Sequence, residues 1–354
     1  MKKVMIALSG GVDSSVAALI LKEQGYDVFA GTMQVFPDYE NDTGSESKLL
    51  FDAKSIAEKL NISHYIFNLK DEFKNDIIEY FVNEYSKGYT PNPCIRCNRM
   101  IKFGILLEKA RELGADFMAT GHYAIIEKND TDRYVLRRAL DIEKDQTYML
   151  YALSQKQLAN TIFPLATYKK NEVRRLAKDI GFEVHDNPES QDICFIRDNN
   201  YKRFLNEHYP GLTRPANIID IEGNILGEHR GFHYYTIGQR RGLGISLSYP
   251  VYVVDFDREK NALIVDKNKY LKRRGLIAAN INWLKYEKLT GSIEAMAQIR
   301  YNASAVNAEL IPIEADKVKV VFEEKQRAIT PGQSVVFYEG DIVIAGGIIE
   351  SSIP

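Results

Sequence analysis

Short apolar runs alternate with amphipathic stretches over the first third of the chain. Lys3–Leu8, Asp27–Val35, His64–Leu69 and Asp116–Thr120 read as buried strands. Between them, apolar residues recur at helical spacing over Ser14–Gln24, Ser47–Leu60, Glu72–Tyr85 and Arg99–Leu113. In the last of these, Phe103, Leu106, Leu107, Ala110 and Leu113 share one face, and Gly114 stops the helix. This alternation predicts a doubly wound, mostly parallel α/β sheet, in which ligands bind beyond the carboxyl ends of the strands. Ser9, Met33 and Gly121-His122 stand at or just past such ends, so they should share one crevice.

The pattern then changes. A hairpin (Tyr123–Glu127 with Arg133–Arg138), a polar stretch (Asp141–Thr147) and a helix (Lys170–Ile180, ended by Gly181) lead into a weakly periodic loop, Glu189–Phe195. The segment 201–272 is rich in Gly, Tyr and His, with one clear hairpin, Val251–Asp255 against Ala262–Asp266. Beyond 273 the recognisable elements are strand-like runs: Glu294–Tyr301, Ala308–Ile313, Val318–Phe322, Ser334–Tyr338 and Ile342–Ile349. A small antiparallel barrel closes so many short strands. The expected organisation is an α/β domain over 1–200, a small central domain over 201–272 and a C-terminal antiparallel β-barrel over 273–354. A length of 354 residues is too great for one ordinary core, which agrees.

Composition narrows the class. A hydrophobic content of 45% with 27% charged residues describes a soluble globular protein. The apolar run before Ser9 is too short for a signal peptide and no run approaches a membrane span, so a cytoplasmic protein without a membrane partner is expected. A net charge of -2 gives no global argument for nucleic acid. Basic clusters at Arg133/Arg137/Arg138, Lys169/Lys170/Arg174/Arg175, Arg240/Arg241 and Lys272/Arg273/Arg274 read first as solvated faces. The three cysteines, Cys94, Cys97 and Cys194, are too few and odd in number for a disulfide framework, which points to chemistry.

The strongest chemical signal is Ser9-Gly10-Gly11-Val12-Asp13-Ser14-Ser15, a glycine turn between a strand and a helix. Backbone N–H groups converge on an anion at such a helix N-terminus, and the two glycines let an oxyanion approach the backbone. No Gly-Lys-[Ser/Thr] ends the turn, so it is not a Walker loop. It resembles the PP-loop of ATP pyrophosphatases, SGGxDS, which cleave ATP between the α and β phosphates and thereby adenylate a carbonyl oxygen. Asp13 beside phosphates calls for a cation, and Mg²⁺ is expected. The second signal is Thr90-Pro91-Asn92-Pro93-Cys94-Ile95-Arg96-Cys97-Asn98. Its prolines should keep helix from forming before Arg99, leaving Cys97 near a helix start where the N-terminus and Arg96 would lower its thiol pKa.

Taken in order, these stretches resemble the tRNA-specific 2-thiouridylase family over essentially the whole chain. The matching motifs are SGGVDSS, TPNPCIRCN (90–98) followed by Lys102-Phe103, ATGHY (119–123), DQTYML (145–150), DICFI (192–196), TIGQRRGLGI (236–245), Arg300-Tyr301 and TPGQSVVFY (330–338). The resemblance implies ATP-dependent 2-thiolation of the wobble uridine in a tRNA anticodon stem-loop. ATP would be held by Ala7, Leu8, Ser9, Gly10, Gly11, Val12, Asp13, Ser14, Met33 and Gly121. Cys97 would be the first catalytic thiol, and Cys194 would carry sulfur as a persulfide from a relay protein or cysteine desulfurase. Asn92, Pro93 and Cys94 would contact the target base, and His122, Lys144, Asp145, Gln146, Arg300, Tyr301 and Gln333 the tRNA. Adenylation of the C2 oxygen and attack by the persulfide sulfur follow in that scheme; Cys97 either closes a disulfide with Cys194 or acts earlier to liberate the sulfur, and in both cases a reductant resets the pair.

One departure stands out. Several members carry an acid, a proposed proton acceptor, where this chain has Cys94. Three thiols also suggest a second reading, a 4Fe–4S cluster on Cys94, Cys97 and Cys194 with one open iron; zinc is a third. Two rival functions differ in class. An amide-forming PP-loop ligase would not need the cysteines, and a nucleotide-sensing RNA-binding protein would release no AMP or pyrophosphate. The lone Trp283 reads as core of the last domain.

Overall fold

The computed structural model describes residues 1–36, 45–182, 193–196, 198–314 and 316–354. Strand β1 (Lys3–Ala7) lies at the centre of a parallel sheet, with Val4, Met5 and Ile6 all fully buried. On one side it pairs with β2 (Asp27–Gln34), which pairs with β3 (His64–Asn68). On the other side it pairs with β4 (Phe117–Ala119). A hairpin, β5 (Ile125–Lys128) and β6 (Tyr134–Arg137), follows, and β7 (Thr161–Ile162) returns beside β4. The order is β3-β2-β1-β4-β7, and it reverses direction at β1, where such sheets bind ligands.

The two-residue period of β1 sorts its side chains between two cores. Val4 and Ile6 meet α1 (Val12–Glu23) and the small apolar residues of α2 (Ser45–Lys59), such as Ala53 and Ala57. Met5 faces the opposite core with Phe73, Ile77 and Phe81 of helix α3 (70–86) and Ile101, Phe103 and Leu106 of helix α4 (93–112). Helices α3 and α4 each contain a π-helical stretch, Lys74–Ile78 and Asn98–Leu106. Helix α5 (Lys170–Asp179) buries Lys170, Val173 and Ala177 on one face, and Val173 and Ala177 join the α1 core.

One local expectation is corrected here. Helix α4 starts at Pro93, with Asn92 as its N-cap, rather than after Cys97. Pro93 occupies the first helical position, where a missing N–H costs nothing, so this proline opens the helix instead of blocking it. Cys97 therefore lies a full turn inside.

After α6 (Tyr201–His208), the central segment forms a sheet of β8 (Ala216–Ile219), β9 (Ile225–His229), β10 (Tyr252–Asp257) and β11 (Ala262–Asp266), in the order β10-β11-β8-β9. The last segment builds β12 (Lys272–Trp283), β13 (Ile293–Gln298), β14 (Val306–Glu314), β15 (Lys317–Arg327), β16 (Ser334–Glu339) and β17 (Ile342–Ile353). Their order is β12-β15-β14-β13-β16-β17, and β17 pairs with β12 to close an antiparallel barrel. The basic run Lys272–Arg274 opens β12, a strand the apolar pattern did not reveal.

The barrel is fastened to the α/β part. Strand β17 pairs with β6, matching Ile342 to Arg137 and Val343 to Leu136. Tyr148 Oη donates to the Ser334 carbonyl at 2.8 Å, and Asn282 Nδ2 donates to the Tyr151 carbonyl at 2.7 Å. Gly346 lies so close to the Tyr151 ring that a Cβ there would overlap it. Among the described residues, no helix is long and apolar enough to cross a membrane.

Candidate active site

The nucleotide end grows out of β1. Leu8 N–H donates to the Gly31 carbonyl at 2.9 Å and Thr32 Oγ1 donates to the Leu8 carbonyl at 2.6 Å, tying the strand exit to β2. Gly10 then takes φ +74°, and a Cβ there would lie 2.9 Å from the Leu49 carbonyl oxygen. Gly11 caps α1 without any side-chain cap, so the first N–H groups of the helix remain available to an anion. The hydroxyls divide. Ser14 Oγ donates to the Gly11 carbonyl at 3.1 Å and accepts from Ser9 N–H at 3.2 Å, while Ser15 Oγ donates to the same carbonyl at 2.7 Å. Ser14 and Ser15 are buried and shape the turn; Ser9 is the exposed hydroxyl. The side chains of Leu8 and Val12 are also buried, so these residues can offer only backbone to a nucleotide.

Asp13 already has a cation. Lys170 Nζ lies 2.8 Å from both carboxylate oxygens, and Tyr123 Oη donates to Oδ1 at 2.8 Å. The Asp13 carboxylate is thus paired with an ammonium in this structure. Lys170, read from sequence as part of a solvated cluster, is 9% exposed. Its register with Val173 and Ala177 on the apolar stripe of α5 was the available signal.

Gly121, just past β4, presses against this loop. A Cβ at Gly121 would lie 2.7 Å from Asp13 C and from Ser14 N, so only glycine allows the approach. Met33, at the neighbouring end of β2, is half-buried against the core that includes Phe73 and Phe81. His122 follows Gly121, with Nδ1 2.7 Å from Thr120 Oγ1 and its ring beside Phe103 and Phe163. Burial, then the charge of Lys102, hold its pKa well below the usual histidine value. His122 is therefore neutral at physiological pH, suited to hydrogen bonding and not to pairing with phosphate.

The sulfur end is assembled from two distant segments. Asn92 Oδ1 accepts from Cys94 N–H at 3.1 Å and Ile95 N–H at 3.4 Å, fixing the helix that carries Cys94 and Cys97. Pro93, the first residue of that helix, is buried. Cys194 arrives from the far loop, anchored by Phe195, whose ring meets Phe73 and Phe81 of α3 edge-on at 5.8 and 5.4 Å. Cys94 and Cys97 are half-buried and Cys194 is exposed. The three thiols interact electrostatically with one another and with Lys102.

The expected thiol activation is also corrected. Burial pushes Cys97 up to about 11, against the pull of Lys102. Burial raises Cys94 as well, and Cys194 rises by desolvation and then by repulsion from the other thiols. Because Cys194 is exposed, water screens part of that rise. Arg96 does not help: its Nε donates to the Asp76 carbonyl at 2.6 Å and its guanidinium lies over the Tyr80 ring at 4.5 Å. Lys102, quoted in the motif without a role, is the cation acting on all three sulfurs.

A metal centre does not fit this arrangement. Among the described residues, no three His, Cys, Asp or Glu side chains gather closely enough to hold a metal ion. Residues 189–192 of the cysteine loop lie outside the described set.

The residues anticipated to contact RNA fall at the seam with the barrel. Gln146 Oε1 accepts from Tyr123 N–H at 3.0 Å, and Asp145 accepts from Ala139 N–H at 3.1 Å and Thr147 Oγ1 at 2.6 Å. Burial raises the Asp145 pKa, with those hydrogen bonds opposing. Tyr301 Oη donates to the Asp145 carbonyl at 3.4 Å, and the neighbouring Arg300 donates to the carbonyls of Arg327 (3.3 Å) and Ala328. Lys144 is half-buried beside them in sequence. Gln333 lies elsewhere, its Nε2 donating to the Thr90 carbonyl at 2.7 Å, while Thr90 N–H donates to the Pro331 carbonyl at 3.0 Å. A barrel turn thereby grips the segment that leads into Cys94. Arg240 lines an open groove of about 260 Å³ with Leu243, Ile245 and Tyr249 in the central segment.

Comparison with known proteins bears on this assembly. Residues 2–198 match the family described as tRNA methyl transferase HUP domain, 202–267 the tRNA methyl transferase PRC-barrel domain and 273–349 the aminomethyltransferase beta-barrel domain. The chain is 56% identical over 357 residues to the tRNA-specific 2-thiouridylase MnmA of Halothermothrix orenii, covering 99% of this chain and 100% of that one. It is 50% identical over 355 residues to the tRNA-specific 2-thiouridylase MnmA of Clostridium perfringens, covering 99% of each. Among solved structures it is similar to the U34-tRNA thiolase NcsA from Methanococcus maripaludis with its 4Fe-4S cluster, at 23% identity and a TM-score of 0.36, covering 59% of this chain and 67% of that one. That likeness is too slight to bear on a cluster here.

Proposed function

The chain belongs to the tRNA-specific 2-thiouridylase family and is an ATP-dependent enzyme that 2-thiolates the wobble uridine of tRNA; we propose that it does so by bringing the Ser9–Ser15 loop and the thiols of Cys97 and Cys194 to one extruded base. A uracil C2 carbonyl is a poor electrophile. Its oxygen attacks the α-phosphorus of ATP, AMP is transferred to it, and pyrophosphate leaves. The uncapped N–H groups of α1 and the Ser9 hydroxyl are suited to hold that pyrophosphate, with backbone of Ala7, Leu8, Gly10 and Val12 and the close face of Gly121 forming the cradle. Mg²⁺ bound with the nucleotide neutralises phosphate charge, and Lys170, held on Asp13, adds a fixed ammonium beside the loop.

Cys194 takes its sulfur from a persulfide on a relay protein or cysteine desulfurase, a transfer its exposure favours. The terminal persulfide sulfur attacks C2 and AMP departs, leaving the base joined to Cys194 by a disulfide. The Cys97 thiolate then attacks Cys194 Sγ. The sulfur on C2 leaves with the bonding electrons as the 2-thio group, and a Cys97–Cys194 disulfide forms. A dithiol reductant returns two electrons and two protons to the pair. Asn92, Pro93 and Cys94 border the base, which must leave the anticodon stack to reach them. Neutral His122 offers a hydrogen bond, Lys144, Asp145, Gln146, Arg300 and Tyr301 form the tRNA side along the barrel seam, and Gln333 adds to it from the turn that holds Thr90. No step is routed through a metal cluster, since among the described residues the thiols do not gather into such a site. Action on tRNA assigns the protein to the cytoplasm. The family matches support the division into 1–200 for nucleotide and sulfur chemistry and 201–272 and 273–354 for RNA.

One observation carries this reading: neighbouring residues link the loop to the helix that bears two of the thiols. Gly121 lies against Asp13 and Ser14, His122 adjoins Gly121, and the His122 ring lies beside Phe103 on the helix of Cys94 and Cys97. The test is mass spectrometry of tRNA nucleosides after incubation with ATP, Mg²⁺ and a persulfide donor. 2-Thiouridine should accumulate with the wild-type chain and not with Cys194→Ser. Equal accumulation in both would overturn the scheme.

A further inference from the structure

The geometry of α4 assigns a task to Lys102. In an α-helix, residues five apart point about 140° away from one another. The Asn98–Leu106 stretch is π-helical, with a ladder that brings residues five apart into register. The widening is visible at Gly104, where a Cβ would lie 3.0 Å from the carbonyl oxygen of Arg99, five residues back. Cys97 heads this stretch and Lys102 is five residues on, so the wider turn swings the lysine toward the face that carries the thiol. An ordinary α-helix of the same sequence would turn it away.

We propose that Lys102 is the positioning cation of the sulfur site, carried to the thiol face by the π-helical turn to offset in part the burial that keeps Cys97 and the terminal sulfur on Cys194 neutral, and so to raise the fraction of each in its anionic, attacking form. The inference rests on the sulfur-transfer reading above and adds the charge that this reading needs. Burial works against every sulfur anion here, and the other groups facing the site do not relieve it. Cys94 adds repulsion once ionised, and His122 stays neutral because burial and Lys102 itself suppress its charge. Arg96 is engaged with Asp76 and Tyr80. Lys102 pulls on Cys94, Cys97 and Cys194 alike. A lysine beside a cysteine favours the thiolate, and it can do so without touching the base.

The test uses the full chain with Lys102→Met, Lys102→Gln and Lys102→Arg. The rate of alkylation by iodoacetamide is followed at the Cys97 peptide by mass spectrometry as a function of pH, a readout that needs neither ATP nor tRNA. With Met or Gln, the rate–pH profile of Cys97 should move up by about one pH unit, roughly tenfold slower alkylation at a fixed pH near 8. Arg should bring the rate back to within about threefold of wild type. Gln serves where Met unfolds the helix, and circular dichroism reports that separately. An unmoved profile in a folded Met or Gln variant overturns the proposal, as does an Arg variant as slow as Met. If the profile moves as expected but wild-type protein makes no 2-thiouridine, the sulfur-transfer reading fails while the role of Lys102 in ionising Cys97 stands.

Discussion

The nucleotide loop and the sulfur site are built in opposite ways. The loop is a run of consecutive residues, Ser9 to Ser15, whose hydroxyls and carbonyls satisfy one another within two turns of chain. Its charge is set in advance by the Lys170–Asp13 pair. The sulfur site is composite. Cys94 and Cys97 ride on a capped helix, Cys194 comes from a loop held by an aromatic anchor, and the thiols sit in surroundings that favour their neutral forms. One end stands ready for its ligand; the other has to be ionised and loaded with sulfur before it can act. The comparison suggests that adenylation and sulfur delivery are separable, and substitutions at either end can break or sharpen that separation.

The largest effect should come from the sulfur end. Cys97→Ser or Cys194→Ser should lower 2-thiouridine formation by on the order of a thousandfold or more, as loss of a nucleophile does. Release of pyrophosphate from ATP in the presence of tRNA should persist in both variants. Parallel collapse of the two activities would mean that the ends work as one device and would break the comparison.

The next largest effect is a dependence on pH. Burial pushes the Cys97 thiol up to about 11, so the neutral thiol dominates near pH 7 and its thiolate fraction grows about tenfold per pH unit until that value is approached. Alkylation of Cys97 should therefore accelerate about a hundredfold between pH 7 and pH 9. A rate already level at pH 7 would show a preformed thiolate, and the sulfur end would then be as ready as the loop.

That contrast also explains what could be read from the sequence. The loop was legible because its chemistry is contiguous: Gly10, Gly11 and the serines act through backbone and near neighbours. The parallel sheet was legible from short apolar runs, since β1 and β2 bury consecutive residues, and the barrel from strand-like runs such as β15, which buries every second residue over Val318–Phe322. Strand β12 was hidden because it opens on Lys272, Arg273 and Arg274. The ionisation of Cys97 is not legible in the sequence because burial, which no residue spacing reports, outweighs the pull of Lys102, and because Pro93 fills a first helical position and sets Cys97 a turn inside the helix. Lys102 escaped notice because an α-helical count turns it away from Cys97, and a π-helical stretch cannot be read from residue spacing. Lys170 could have been found: a lysine in line with Val173 and Ala177 on a buried stripe asks for an acid.

A smaller effect is expected at the join between β4 and the loop. Gly121→Ala would place a Cβ 2.7 Å from backbone atoms of Asp13 and Ser14, which must shift to make room. Such overpacking costs about 1–3 kcal/mol, so ATP binding measured by calorimetry should weaken by roughly 5- to 150-fold. The alkylation rate of Cys97 should not change. Slowed alkylation would show that strain at the loop reaches the sulfur end.

The smallest effect tests whether the barrel belongs to one end or to both. Gln333 Nε2 donates to the Thr90 carbonyl at 2.7 Å, and the same turn accepts the Thr90 N–H through Pro331. Gln333→Ala removes the first of these bonds and leaves the second, at a cost of about 1 kcal/mol. Hydrogen exchange at the Thr90 amide should quicken by roughly fivefold, because local opening follows the local free energy. Thr90 leads directly into Asn92, the cap of the cysteine helix, so any change in chemistry should appear first in the alkylation rate of Cys97, by less than about threefold. The nucleotide loop keeps its shape through its own hydroxyls and carbonyls, and ATP affinity should hold. Weaker ATP binding in Gln333→Ala would mean that the barrel braces the loop as well, and the two ends of the site would share a support that their construction does not suggest.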